Sequence, residues 1–210
     1  MDQLEALRLF RNSREGQNLL RSLRYGEGTD LYNREGESPY TTLYGGGQFK
    51  DFSRHPDQVV IGGKGSPNSA AAGAYQFMPS TWNEAQQALG LKDFSPESQD
   101  LAALFEADRR MRGFGGGKDL GGLSYLRYHD FDKDTMDNLA GAWASFPNFE
   151  GKSYYNQPAK SHDQLIRSYL GEDEYNYRNS AEAKAKAEAW KNMSDDEKLK
   201  LAGPLPPLPD

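Results

Sequence analysis

Glu27 is the residue whose setting points most directly to chemistry. It stands in Tyr25-Gly26-Glu27-Gly28-Thr29-Asp30, where a stretch of helical apolar spacing runs out into glycines. A carboxyl there faces the negative end of a helix dipole beside Tyr25. The dipole and any burial both disfavour its ionisation. A glutamic acid so placed keeps its proton near neutral pH and can act as a general acid. The spacing alone reads more readily as an exposed glutamate in a helix-terminal turn.

A second segment, Ser69-Ala-Ala-Ala-Gly73-Ala74-Tyr75-Gln76-Phe77-Met78-Pro79-Ser80-Thr81-Trp82, is dense in small residues, aromatics and an amide. Small side chains let the backbone approach a ligand, while Tyr75 and Gln76 offer a flat face and an amide. Such groups suit N-acetylated sugars, through stacking and hydrogen bonds to acetamido substituents. Phe77 and Trp82 read better as core.

Three other patterns fail on their own chemistry. Gly113–Lys118 imitates a phosphate loop, but Arg112 stands where glycine is needed and Asp119 where Ser or Thr is needed. Asp130-Phe-Asp132-Lys-Asp134 starts like a calcium loop, yet its sixth position is Thr135 and its twelfth is Gly141. His55, His129 and His162 lack the spacing of a helical zinc pair, so neither a metal site nor a cofactor is expected.

The elements that must position Glu27 follow from periodicity. Leu4, Leu7, Leu9 and Phe10, then Leu19, Leu20 and Leu23, predict helix across 4–25, with Ser13 capping the second stretch and Gly26 and Gly28 stopping it. Residues 26–79 read as loops with a short hairpin near Val59-Val60-Ile61. A helix from Ser80 to Gly90 follows, then one capped by Ser95 with Pro96 in its first turn. A glycine-dense loop (113–122) precedes helices at about 135–144 and 161–170. Beyond Gly171 the composition turns acidic and tyrosine-rich. An Ala/Lys/Glu helix spans 180–191, Ser194 and Glu197 form a capping-box pattern, and the Pro204–Pro209 end favours polyproline II.

Composition sets the outer limits. The chain has 210 residues, a formal charge of −6 and no cysteine, which excludes disulfides, thiolate metal sites and a nucleophilic cysteine. The acidic balance argues against a surface built to bind nucleic acid or anionic membranes. Apolar residues make up 36%, so part of the chain is expected to lie outside any core. No run of about 18 apolar residues predicts a membrane span, and the N-terminus lacks the pattern of a Sec signal.

Five blocks, in order, give the sequence a family likeness. They are Gly26–Asp30, the stretch from Gly45-Gly46 to Asp51-Phe-Ser-Arg-His55-Pro56, Ser69–Gln76, Leu89–Asp100, and Trp143-Ala-Ser-Phe-Pro147. Through most of residues 20–170 the chain resembles the lambda-type phage endolysins, lytic transglycosylases of the lysozyme-like superfamily. The Gly73–Trp82 stretch is also similar to the substrate-binding motif of cellular lytic transglycosylases.

The resemblance implies a mainly α (α+β) lysozyme-like fold, with a helical lobe and a small loop- and hairpin-rich lobe flanking a sugar-binding groove. It implies cleavage of peptidoglycan between N-acetylmuramic acid and N-acetylglucosamine, with Glu27 as the sole catalytic carboxyl. Glu27 would protonate the glycosidic oxygen and then act as base while the muramyl 6-hydroxyl closes a 1,6-anhydro ring. Ser69, Tyr75, Gln76 and Tyr155 correspond to groove residues. His55-Pro56 is read as a structural turn.

The glycine-rich 113–137 region, the helix at 4–12 and the tail depart from the family pattern. The expected organisation is a catalytic domain over 1–170 and a charged tail over 171–210. Because peptidoglycan is itself anionic, the acidic chain gains no long-range attraction to it. That favours an enzyme carried in the virion, with the tail held by a virion or tail protein. A lysis endolysin waiting in the host cytoplasm before acting on the wall is the competing picture. A hydrolysing muramidase using Asp30 or Asp51 as base, and a catalytically idle assembly protein, are the rival functions.

Overall fold

The computed structural model describes residues 2–32, 35–63, 66–112, 121–155 and 157–194. It divides into two compact units between Tyr169 and Leu170. The first unit is helical with almost no strand. Helix α1 (Gln3–Arg11) is capped by Asp2, and α2 (Arg14–Glu27) is capped by the Ser13 hydroxyl, which accepts from the Gly16 N–H. Gly16 permits the tight corner between them, since a Cβ there would lie 1.9 Å from the Phe10 carbonyl oxygen.

Helix α4 (Pro96–Arg110) is the spine. It is buried on nearly every side, from Leu101 and Leu104 to Gln99, Asp100, Glu106 and Asp108. A helix enclosed in this way needs neighbours all round, and α1, α2, α3 (Pro79–Leu89) and α5 (Lys133–Ala140) supply them. The helix near residues 4–12 is therefore core: Leu7 and Phe10 are fully buried, and Arg11 pairs with Asp100 at 2.8 Å.

The expected hairpin is reduced to isolated bridges, Val60 with Ser69 being one. The next rung would require an N–H from Pro67, which has none, and on the other side Ala71 is committed to the Ser69 hydroxyl and the Tyr44 N–H. The lobe over 28–78 is instead held by single bridges, 3-10 turns and a cluster of Phe49, His55, Phe77, Trp82 and Phe94.

Helix α5 begins two residues before the expected start. Asp132 of the calcium-like motif caps it, accepting from the N–H and hydroxyl of Thr135. Helix α6 (His162–Leu170) closes the first unit's chain path. In the second unit, α7 (Glu172–Asn179) and α8 (Ala181–Asn192) pack together with no fully buried residue, and Glu174–Arg178 and Glu182–Lys186 pairs run along their surfaces. Sequence reading had α8 but not α7. Most of the 113–122 loop, the Ser194–Glu197 capping box and the Pro-rich end lie outside the described residues. Among described residues no helix is long and apolar enough to cross a membrane, and no group of three acidic or histidine side chains could hold a metal.

Candidate active site

Glu27 is the last residue of α2, and Gly28 takes the left-handed conformation (φ 71°) that ends the helix. Gly26 brings this end close to the 143–147 turn: a Cβ there would stand 2.7 Å from the ring of buried Phe146 and 3.1 Å from the Ser145 hydroxyl. The approach has a chemical consequence. Ser145 Oγ donates to Glu27 Oε1 at 2.5 Å. Burial pushes the Glu27 carboxyl from about 4.5 up to about 7, against the opposing pull of the Ser145 hydrogen bond and the Lys160 charge. The carboxyl therefore keeps its proton up to about neutral pH.

It opens on a cleft of about 610 Å³ that Ser69, Tyr75, Gln76 and Tyr155 also line. Tyr155 is half exposed, and its hydroxyl donates to the Gly141 carbonyl at 2.7 Å, leaving the ring on the cleft wall. The Ser69 hydroxyl accepts from the Ala71 N–H and lies 3.6 Å from Met78 Sδ.

Two of the expected contacts differ from the sequence reading. Tyr75 is 1% exposed, so its ring is not a free stacking face. Its hydroxyl donates to Asp100 Oδ1 at 2.5 Å and accepts from Arg24 at 3.1 Å, and burial beside Asp100 holds it firmly protonated. Gln76 adopts a positive φ of 48°, and its amide nitrogen donates to the carbonyls of Gly73 and Thr42. The amide donors expected to face a ligand are thus bound within the protein. What Gln76 has left for a ligand is its carbonyl oxygen and the amide face.

The endolysin family model matches residues 17–173 of this chain. The chain belongs to the endolysin family. Over 148 residues it is 32% identical to the endolysin of Escherichia phage lambda, spanning 70% of this chain and 84% of that protein. Among solved structures it is similar to bacteriophage lambda lysozyme complexed with a chitohexasaccharide, with a TM-score of 0.62, 30% identity, and coverage of 75% of this chain and 92% of that one. A second solved structure, of lysozyme from bacteriophage lambda, gives a TM-score of 0.60 at 28% identity with the same coverage. The fold is lysozyme-like, and the family is one of phage enzymes that degrade peptidoglycan.

In this endolysin the other cleft carboxylate among the described residues, Glu106, and the two aspartates considered as bases are bound up in ion pairs or turns. Glu106 lines the cleft but pairs with Arg110 at 2.8 Å and Arg109 at 3.4 Å. Asp30 pairs with Arg24 at 3.0 Å, and exposed Asp51 accepts from the N–H and hydroxyl of Ser53. His55 is buried in a turn, where Nδ1 accepts from the Asp57 N–H and Nε2 donates to the Phe77 carbonyl. Burial lowers its proton affinity, consistent with a structural role.

Sequence reasoning missed the supports. Ser145 and Asp100 both lay inside quoted blocks, but nothing local marked them. Asp100 gathers Tyr40, Tyr75 and Arg11, tying α1, α4 and the cleft wall to one buried carboxylate.

Proposed function

We propose that this endolysin is a lytic transglycosylase acting on the glycan strands of peptidoglycan, with Glu27 as both acid and base. The observation that carries the reading is one carboxyl on the cleft wall whose proton affinity burial raises to about 7, while among the described residues Glu106, Asp30 and Asp51 are held by cations or turns. Hydrolysis by the usual two-carboxylate routes needs a second free carboxylate, to activate water or to attack the sugar. An internal 6-hydroxyl nucleophile needs neither. Glu27 gives its proton to the glycosidic oxygen as the bond to the anomeric carbon breaks. The carboxylate then removes the 6-hydroxyl proton as that oxygen bonds to the anomeric carbon, so Glu27 ends as it began.

Ser69, Gln76 and Tyr155 contact the sugar from the cleft wall, and Tyr75 supports that wall from behind. The sugar-bound lambda lysozyme supports a glycan occupant for the cleft. Mass spectrometry of digested sacculi tests the reaction. Anhydro-muramyl ends are expected, and products heavier by one water would make the enzyme a hydrolysing muramidase. Retention of activity by Glu27→Gln would remove the catalytic assignment altogether.

Residues 1–170 are assigned as the catalytic domain and 171–210 as a tail that docks on a virion or tail protein. The acidic charge supports delivery by tethering over attraction to the anionic wall. Recovery of the protein from purified virions tests this, and its absence there would leave a lysis endolysin released from the host cytoplasm.

A further inference from the structure

Lys160 belongs to no motif in the sequence, yet the fold holds it at the catalytic helix end. Its backbone N–H donates to the Ser145 carbonyl at 2.9 Å, so the residue that hydrogen-bonds Glu27 through its hydroxyl grips Lys160 through its backbone. Its ammonium lies 5.1 Å from the centre of the Tyr25 ring, two residues before Glu27. A cation is favoured there both by the aromatic face and by the negative end of the α2 dipole. Among the described residues no carboxylate lies within ion-pair distance of it.

Among the described residues, the other polar groups around Glu27 are already engaged or carry no charge. From α4, Glu106 and Arg110 pair with each other. From α2, Arg24 is turned toward Asp30, Tyr40 and Tyr75. From the cleft wall, the Tyr75 hydroxyl goes to Asp100 and that of Tyr155 to Gly141, and Tyr44 lines the same cleft. Among the described residues around Glu27, Lys160 is the cation left to answer a charge on it.

We propose that Lys160 is a positioning residue for proton transfer: held by Ser145 and Tyr25, its ammonium stabilises the carboxylate that Glu27 becomes after protonating the glycosidic oxygen. It thereby sets the pH range of turnover. The proposal rests on Glu27 being the acid, and it holds whether the product is anhydro or hydrolysed. Burial alone would make Glu27 a stubborn acid that gives up its proton late. The ammonium offsets part of that penalty without removing the proton before substrate arrives.

The test is the pH profile of kcat/KM on purified sacculi for the full chain, comparing wild type with Lys160→Met, Lys160→Gln and Lys160→Arg. Loss of the cation strengthens the hold of Glu27 on its proton. Met and Gln are expected to move the alkaline limb upward by about 0.5–1 pH unit and to lower the plateau of kcat several-fold. Arg restores the limb. If the limbs of Met, Gln and wild type coincide, Lys160 is a surface residue and the proposal is overturned. Circular dichroism separates a folding defect in one variant from that outcome, and the other neutral variant then carries the comparison. Glu27→Gln in parallel keeps the two ideas apart, since residual activity there refutes the acid assignment and unmoved limbs refute only Lys160.

Discussion

Glu27 destabilises the fold that holds it, and its size and pH dependence can be worked out. On folding, its proton affinity rises from about 4.5 to about 7. Below pH 4.5 the carboxyl is protonated in both folded and unfolded chains and changes nothing. Between 4.5 and 7 only the folded chain holds the proton, so stability falls as pH rises. Above 7 the buried carboxylate is ionised and the loss is complete. At 1.36 kcal/mol per pH unit the cost approaches about 3 kcal/mol, and contact with water in the open cleft reduces it to about 2 kcal/mol. Glu27→Gln has no charge to bury, and its carbonyl can still accept from Ser145. The variant is expected to match wild type near pH 4 and to exceed it by about 2 kcal/mol near pH 8. That corresponds to a midpoint higher by about 4–8 °C. Urea unfolding read through the fluorescence of buried Trp82 and Trp143 reports on this unit. A variant no more stable than wild type at pH 8, or one whose advantage is the same at pH 4, would refute the buried-acid reasoning.

Three further perturbations probe the supports. Gly26→Ala drives a methyl to 2.7 Å from the Phe146 ring, which is expected to cost about 1–3 kcal/mol in thermal unfolding and to cut kcat more than about tenfold by separating Glu27 from Ser145. Tyr75→Phe removes a donor from buried Asp100 and is expected to cost about 1–3 kcal/mol in urea unfolding. An unchanged midpoint would mean that water takes over the bond. Phe10→Ala empties a fully buried site against α4 and is expected to lose about 3–5 kcal/mol, lowering the melting midpoint on the order of 10 °C. A melt unaltered by that change would mean that α1 is no part of the core.

The parts legible in sequence are those fixed by near neighbours. Ser13 and Ser95 cap helices because each reaches an N–H three residues ahead. Glu27 is found at a helix end because Gly28 follows it. The Asp132 cap had the same local signal but was absorbed into a failed calcium motif, so α5 starts earlier than expected. What stayed hidden depends on distant partners. Ser145 lies 118 residues from Glu27, and Tyr75 meets Arg24 from 51 residues away. Nothing in Gly73-Ala74-Tyr75-Gln76 shows that Asp100 will take the hydroxyl or that Gly73 and Thr42 will take the amide. Tyrosine and glutamine suit a sugar and a buried network equally well, and only the long-range packing decides. The packing of the helix at 4–12 stayed hidden for the same reason, because its partner face on α4 is remote in sequence.

These supports explain how a costly acid survives in a working position. A single group that must donate a proton and then recover one works best when neither transfer is steeply uphill. A glutamate at its ordinary value would be ionised before substrate arrived, and one raised much above 7 would not release its proton. A proton affinity near 7 meets both demands but leaves a carboxyl that burial disfavours. The compensation comes from rigid, well-satisfied surroundings: Asp100 with Tyr40, Tyr75 and Arg11 behind the cleft, and fully buried Phe10 and Leu7 beneath α4. Loosening that scaffold would let water reach Glu27 and return it toward its ordinary value. The first sign of damage to the Asp100 network should accordingly be an alkaline limb moving down in pH, the opposite direction to that expected for loss of Lys160.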